Sequence, residues 1–103
     1  MPPGEYDITG SIKAIEELKL GLLQSVVSLL ASMVNQRHSR DERLACLAES
    51  LARTYMLAAK LGISFNDLDE KAADDIKVHI LKEGEVPAAD YAALHRHITR
   101  RKP

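Results

Sequence analysis

Between Ser11 and Asn35 apolar residues recur at helical spacing in two separate rows. Ile12, Ile15, Leu18, Leu22, Val26, Leu29 and Met33 form one row, and Leu20, Leu23, Val27, Leu30 and Val34 form the other. A helix that is apolar around most of its circumference needs neighbours on most sides, and one partner helix covers only one row. The chain has 103 residues, of which 46% are apolar and 4% aromatic, so it can build one modest core. A second copy of the chain is a ready source of further apolar surface. The expectation is a homodimer or homotetramer joined through this first helix.

The remaining elements follow from caps and punctuation. Residues 1–10 hold two of the four prolines and read as a flexible lead-in, with Ser11 as the first N-cap and residues 11–103 as a single domain. Ser39-Arg40-Asp41-Glu42 has the form of a capping box and starts a second helix. Leu44, Leu47, Ala48, Leu51, Tyr55, Ala58 and Leu61 share one face of that helix, and Gly62 stands where a left-handed residue ends it. Ser64 or Asn66 caps a third helix, which stops near Gly84. Pro87 suits the first turn of a short fourth one. No segment alternates with period two for long enough to form a strand. The fold class is all-α, an antiparallel bundle of about four helices.

Charge and composition exclude several functions. With 14 Lys+Arg against 15 Asp+Glu, the chain does not coat nucleic acid or an anionic membrane by bulk electrostatics. Leu18 to Val34 is interrupted by Lys19, Gln24 and three serines, and reads as too short and too polar to span a bilayer. The start, Met-Pro-Pro-Gly-Glu-Tyr-Asp, has no basic region followed by an apolar one, so no secretory signal is expected. Cys46 is the single cysteine, which fits a reducing cytoplasm. There is no Gly-rich phosphate loop, no G-x-S-x-G and no H-E-x-x-H.

The run Leu51 to Asp69, LARTYMLAAKLGISFNDLD, resembles the second half of the MazG-type all-α nucleoside triphosphate pyrophosphohydrolases, in which a long helix ends in a Leu-Gly-Ile turn before an acidic helix. Ile12 to Lys19, IKAIEELK, resembles the first helix of short bacterial members, so the likeness covers residues 11–83. The resemblance implies carboxylates on two facing helices that hold Mg²⁺ on a triphosphate while water attacks, releasing a nucleoside monophosphate and pyrophosphate. Its pattern is E-E-x-x-E on the first helix and E-x-x-D on the next. Carried over, Glu16 and Glu17 take the first two positions and Glu49 that of the Asp. Leu20 and Cys46 stand where the other two carboxylates belong. The implied metal ligands are Glu16, Glu17 and Glu49, with Glu17 and Glu49 catalytic and a nucleotide as substrate.

Ordinary readings stand beside each of these. Glu17 can pair with Lys13, Glu16 with Lys19, and Glu49 with Arg53, all at helical spacing on a solvated face. Cys46 reads as a small core residue, and the acids of the third helix as a solvated, dipole-matched face. The basic C-terminus, His95-Arg96-His97 and Arg100-Arg101-Lys102, reads as a solubilising end. His38 and His79 have no evident metal partners. The function expected is a Mg²⁺-dependent pyrophosphohydrolase, and the alternative is a non-catalytic helical dimer that keeps the bundle without the metal site and serves as a sensor or interaction module. A nucleic-acid-binding role for the C-terminal helix ranks third.

Overall fold

The computed structural model describes residues 8–35, 39–82 and 84–100. They form four helices, α1 (Ile8–Asn35), α2 (Arg40–Lys60), α3 (Phe65–Leu81) and α4 (Ala88–Thr99), and no strand among the described residues. The all-α class holds. Two compact units divide the chain, Met1–Ile63 built on α1 with α2, and Ser64–Pro103 built on α3 with α4.

The helix boundaries show local chemistry at work. Ser39 accepts a hydrogen bond from the Glu42 amide at 3.2 Å and Ser64 one from the Asp67 amide at 3.0 Å, so Ser64 rather than Asn66 caps α3. At the end of α2, Ile63 N–H donates to the Ala58 carbonyl at 2.8 Å and Gly62 N–H to that of Ala59 at 3.1 Å. This is a Schellman closure, and it requires the φ of +79° that Gly62 adopts. Gly62→Ala meets no steric neighbour there, so its cost is the left-handed backbone alone, about 1–2 kcal/mol in a thermal melt. Three boundaries differ from the sequence reading. The first helix starts at Ile8, which puts Ser11 inside it; α3 ends at Leu81; and Pro87 is the N-cap of α4 rather than its first residue. The proposed lead-in overlaps residues 1–7, which lie outside the described residues, as do His38, Arg101 and Lys102.

Within the first unit the two helices run antiparallel. Arg43 reaches the Ser32 carbonyl at 3.4 Å, and further along Glu49 and Arg53 both meet Ser25. The α1 row that faces α2 is Ile15, Leu18, Leu22, Ser25, Leu29 and Ser32, with Ser25 and Ser32 almost fully buried. This corrects the first apolar row, which places Val26 and Met33 where Ser25 and Ser32 stand; Val26 and Met33 are exposed. The reason is geometric. Two paired helices keep contact along a repeat of about 3.5 residues, so the seam steps by three and four in alternation, whereas successive steps of four drift off it. Burying these hydroxyls costs little because Ser25 and Ser32 bond the carbonyls of Gly21 and Leu29 on their own helix.

The large apolar residues lie on the other side. Leu20, Leu23, Val27, Leu30 and Val34 are between 53% and 81% exposed, and on α2 Leu44, Leu47, Leu51 and Leu61 are exposed as well. Of the α2 face that the sequence marks as core, Leu44, Leu47, Ala48, Leu51 and Leu61 are thus turned outward, whereas Tyr55 is half-buried and Ala58 buried. The contact row is instead Arg43, Cys46, Ser50, Arg53 and Leu57, with Ala58 buried beside it. Ser11–Val34 is also long and apolar enough to cross a membrane by length and composition alone, which removes the argument that this helix is too short and polar to do so. In the second unit Ala73 and Ile76 are the buried apolar residues, and the rings of His79 and Tyr91 stack with centroids 4.9 Å apart.

Candidate functional site

Where α1 crosses the middle of α2, small side chains open a polar cleft of about 120 Å³. Gly21, Gln24, Ser25 and Ser28 line it from α1, and Cys46, Glu49 and Arg53 from α2. Helical geometry explains the grouping. Positions 21, 24, 25 and 28 share one face of α1, and 46, 49 and 53 share one face of α2.

Arg53 organises the cleft. Its Nη1 donates to Glu49 Oε2 at 3.0 Å and also to Ser25 Oγ. The single Ser25 proton is shared between the Gly21 carbonyl at 3.0 Å and Glu49 Oε2 at 3.3 Å. The Arg53 side chain lies against the bare backbone of Gly21, so close that a Cβ on residue 21 would sit 2.6 Å from Nε and 3.0 Å from Cδ. The Arg53 side chain is 35% exposed and that of Glu49 60%, so the ion pair itself adds roughly 0.3–0.5 kcal/mol. The direct bonds to a nearly buried hydroxyl fix its geometry more than its energy. Cys46 is half-buried and faces this cleft rather than a closed core.

The structure separates the acidic residues that the sequence groups together. Glu49 is in the cleft. Glu16 is paired on the solvent side with Lys19, Oε1 to Nζ 3.0 Å, and Glu17 is exposed beside it. Ser25, which touches Glu49, comes eight residues after Glu17, roughly 12 Å farther along the helix. The α1 residues level with Cys46 and Glu49 are instead Gln24, Ser25 and Ser28. Their spacing i, i+1, i+4, opposite i, i+3 on α2, is that of E-E-x-x-E facing E-x-x-D. Sequence reasoning missed these three, although mirroring positions 46 and 49 about position 37 leads to Ser28 and Ser25.

Mg²⁺ prefers an octahedral shell of oxygen donors that includes carboxylates. The cleft offers one carboxylate, already engaged by a guanidinium, together with two hydroxyls, an amide and a thiol. These residues do not fit the ion. Among the described residues no three His, Cys, Asp or Glu side chains are placed to share a metal. The acids of α3 are spread along it, with Asp67, Asp74 and Asp75 exposed and Asp75 paired to Lys71 at 3.2 Å.

The comparison with known families agrees with the fold. The MazG-like family model matches residues 8–94, which is most of the chain and extends the stretch of likeness seen in the sequence. This protein belongs to the MazG-like family, and its fold is of the nucleotide pyrophosphohydrolase kind. No curated protein and no solved structure matches it.

Proposed function

We propose that this chain is a homo-oligomeric MazG-like interaction module that works without metal-dependent hydrolysis in its α1–α2 cleft. The observation that carries this reading is that a single carboxylate, Glu49, occupies the cleft and Arg53 neutralises it. A shell for Mg²⁺ on a triphosphate draws its strength from several converging carboxylates, and the other positions here are uncharged.

The assembly half of the reading rests on the exposed rows of α1 and α2. Five large apolar side chains along one row of α1 stay more than half exposed when α1 and α2 have paired. Contiguous apolar surface of this kind marks a site for protein or membrane contact, and a second copy supplies an identical, self-complementary row. The unpaired Cys46 suits the cytoplasm, where the module would act as a nucleotide sensor or partner-binding element.

A second reading, Mg²⁺-dependent pyrophosphohydrolysis of a nucleoside triphosphate with Glu16, Glu17 and Glu49 as ligands, has one observation in its favour. Glu16 and Glu17 are adjacent and exposed, which leaves Glu17, and Glu16 once released from Lys19, open to a shell completed by another subunit. Melting behaviour separates the two, and mass tests the assembly. The module should sediment as a dimer or tetramer without detergent, and its melting temperature should not respond to millimolar Mg²⁺ with or without a nucleotide. A ligand held at 100 times its Kd would raise stability by about 2.7 kcal/mol. A Mg²⁺-dependent rise in melting temperature that Glu17→Ala or Glu49→Ala removes would favour the hydrolase. Recovery of the protein only with lipid vesicles would overturn the assembly reading in favour of a membrane.

A further inference from the structure

We infer that Arg53 is the resident cation of the α1–α2 cleft, its guanidinium taking the place between the two helices to which a divalent ion would be drawn and closing the cleft to metal. This deepens the proposed function and rests on its reading of the cleft as the level of the family's two carboxylate patterns.

Three observations converge on it. First, Gln24, Ser25 and Ser28 on one helix face Cys46 and Glu49 on the other at the spacing of a two-helix carboxylate shell, and only Glu49 is charged. A shell of five carboxylates calls for divalent charge, whereas one carboxylate is balanced by one guanidinium. The charge of the cleft is thus matched to Arg53 and not to Mg²⁺. Second, Arg53 already makes the contacts a central ion would make, bonding Glu49 from α2 and Ser25 from α1. Guanidinium stays charged throughout the physiological range and holds its donors in a fixed plane, so this closure does not depend on metal supply.

The third observation is Gly21. Glycine inside a long helix is unfavourable relative to alanine, and nothing in the backbone of α1 calls for it there. Its value is room: the Arg53 side chain occupies the space a Cβ would take, with Nε at 2.6 Å. Gly21 and Arg53 therefore act as a pair, one clearing the floor that the other lies on.

Mn²⁺ binding, followed by the loss of the free-ion electron paramagnetic resonance signal, tests this on the full chain. Wild type should bind Mn²⁺ no more tightly than Glu49→Gln. A variant carrying Ser25→Glu, Ser28→Glu and Cys46→Glu with Arg53 retained should bind at least tenfold more weakly than the same variant with Arg53→Ala added, each checked for helix content. Glu49-dependent Mn²⁺ binding by the wild type, or equal affinity of the two multiple variants, would overturn the inference.

Should the multiple variants not fold, Gly21→Ala supplies an independent readout. It should raise the melting temperature in an Arg53→Ala background and fail to raise it when Arg53 is present. An equal rise in both backgrounds would contradict the pairing. The two readings also fail separately: a protein that is monomeric in solution overturns the assembly proposal and leaves the role of Arg53 standing, whereas Glu49-dependent metal binding overturns that role in any oligomeric state.

Discussion

Under the proposed assembly through α1, replacing Leu23 and Leu30 together with lysine is expected to leave the protein monomeric. Both side chains lie on the outward row of α1, 60% and 53% exposed, and neither belongs to the row that meets α2. Fully burying a leucine is worth roughly 1.5–3 kcal/mol, and a two-fold interface counts each position twice. With a little over half of each side chain left to bury, the double substitution should therefore cost about 3–6 kcal/mol of association free energy, roughly two to four orders of magnitude in the dissociation constant. Lysine is a good helix former, so α1 itself should persist. Sedimentation velocity at micromolar protein should show the mass fall to that of one chain while the far-ultraviolet spectrum keeps its helical shape. A variant that keeps the mass of the wild type would place the interface elsewhere.

The second large effect is expected in the other unit. Ile76 is 7% exposed and, with Ala73, forms the buried apolar contact between α3 and α4. Ile76→Ala removes three carbons from a small core with little else to collapse around the gap, at about 2–4 kcal/mol. Amide exchange in α3 and α4 should speed up roughly 30-fold or more if those helices open together. Val78→Ala, two residues on and 46% exposed, serves as the comparison and should leave exchange nearly unchanged. Equal effects from the two substitutions would mean that Ile76 is not the centre of that unit.

What was legible in the sequence is what local chemistry decides. Ser39, Ser64 and Gly62 announce their helix ends because a cap needs a hydroxyl three residues before an amide, or a residue at ease with positive φ. The run around Leu61-Gly62-Ile63 pointed to the family that matches residues 8–94. The ion pairs Glu16–Lys19 and Glu49–Arg53 were legible as well, being fixed by helical spacing.

What was hidden depends on the pairing of α1 with α2. Val26 and Met33 fit a regular apolar row on one straight helix, but contact with a second helix follows a shorter repeat and selects Ser25 and Ser32. The cleft was hidden for the same reason. Glu16 and Glu17 catch the eye as adjacent acids, yet the level of α1 opposite Glu49 is set by where the chain turns between the helices. That level holds Gln24, Ser25 and Ser28. The room that Gly21 leaves has a use only once the two helices pair and the Arg53 side chain lies on it.

The measurement that bears most directly on the central claim is product analysis after incubating the purified protein with a panel of ordinary and modified nucleoside triphosphates and Mg²⁺, with Glu49→Ala run alongside. A cleft neutralised by Arg53 predicts neither monophosphate nor pyrophosphate above the rate without protein, and no difference between wild type and variant. Release of both products by the wild type, abolished in Glu49→Ala, would contradict the account and establish a working pyrophosphohydrolase.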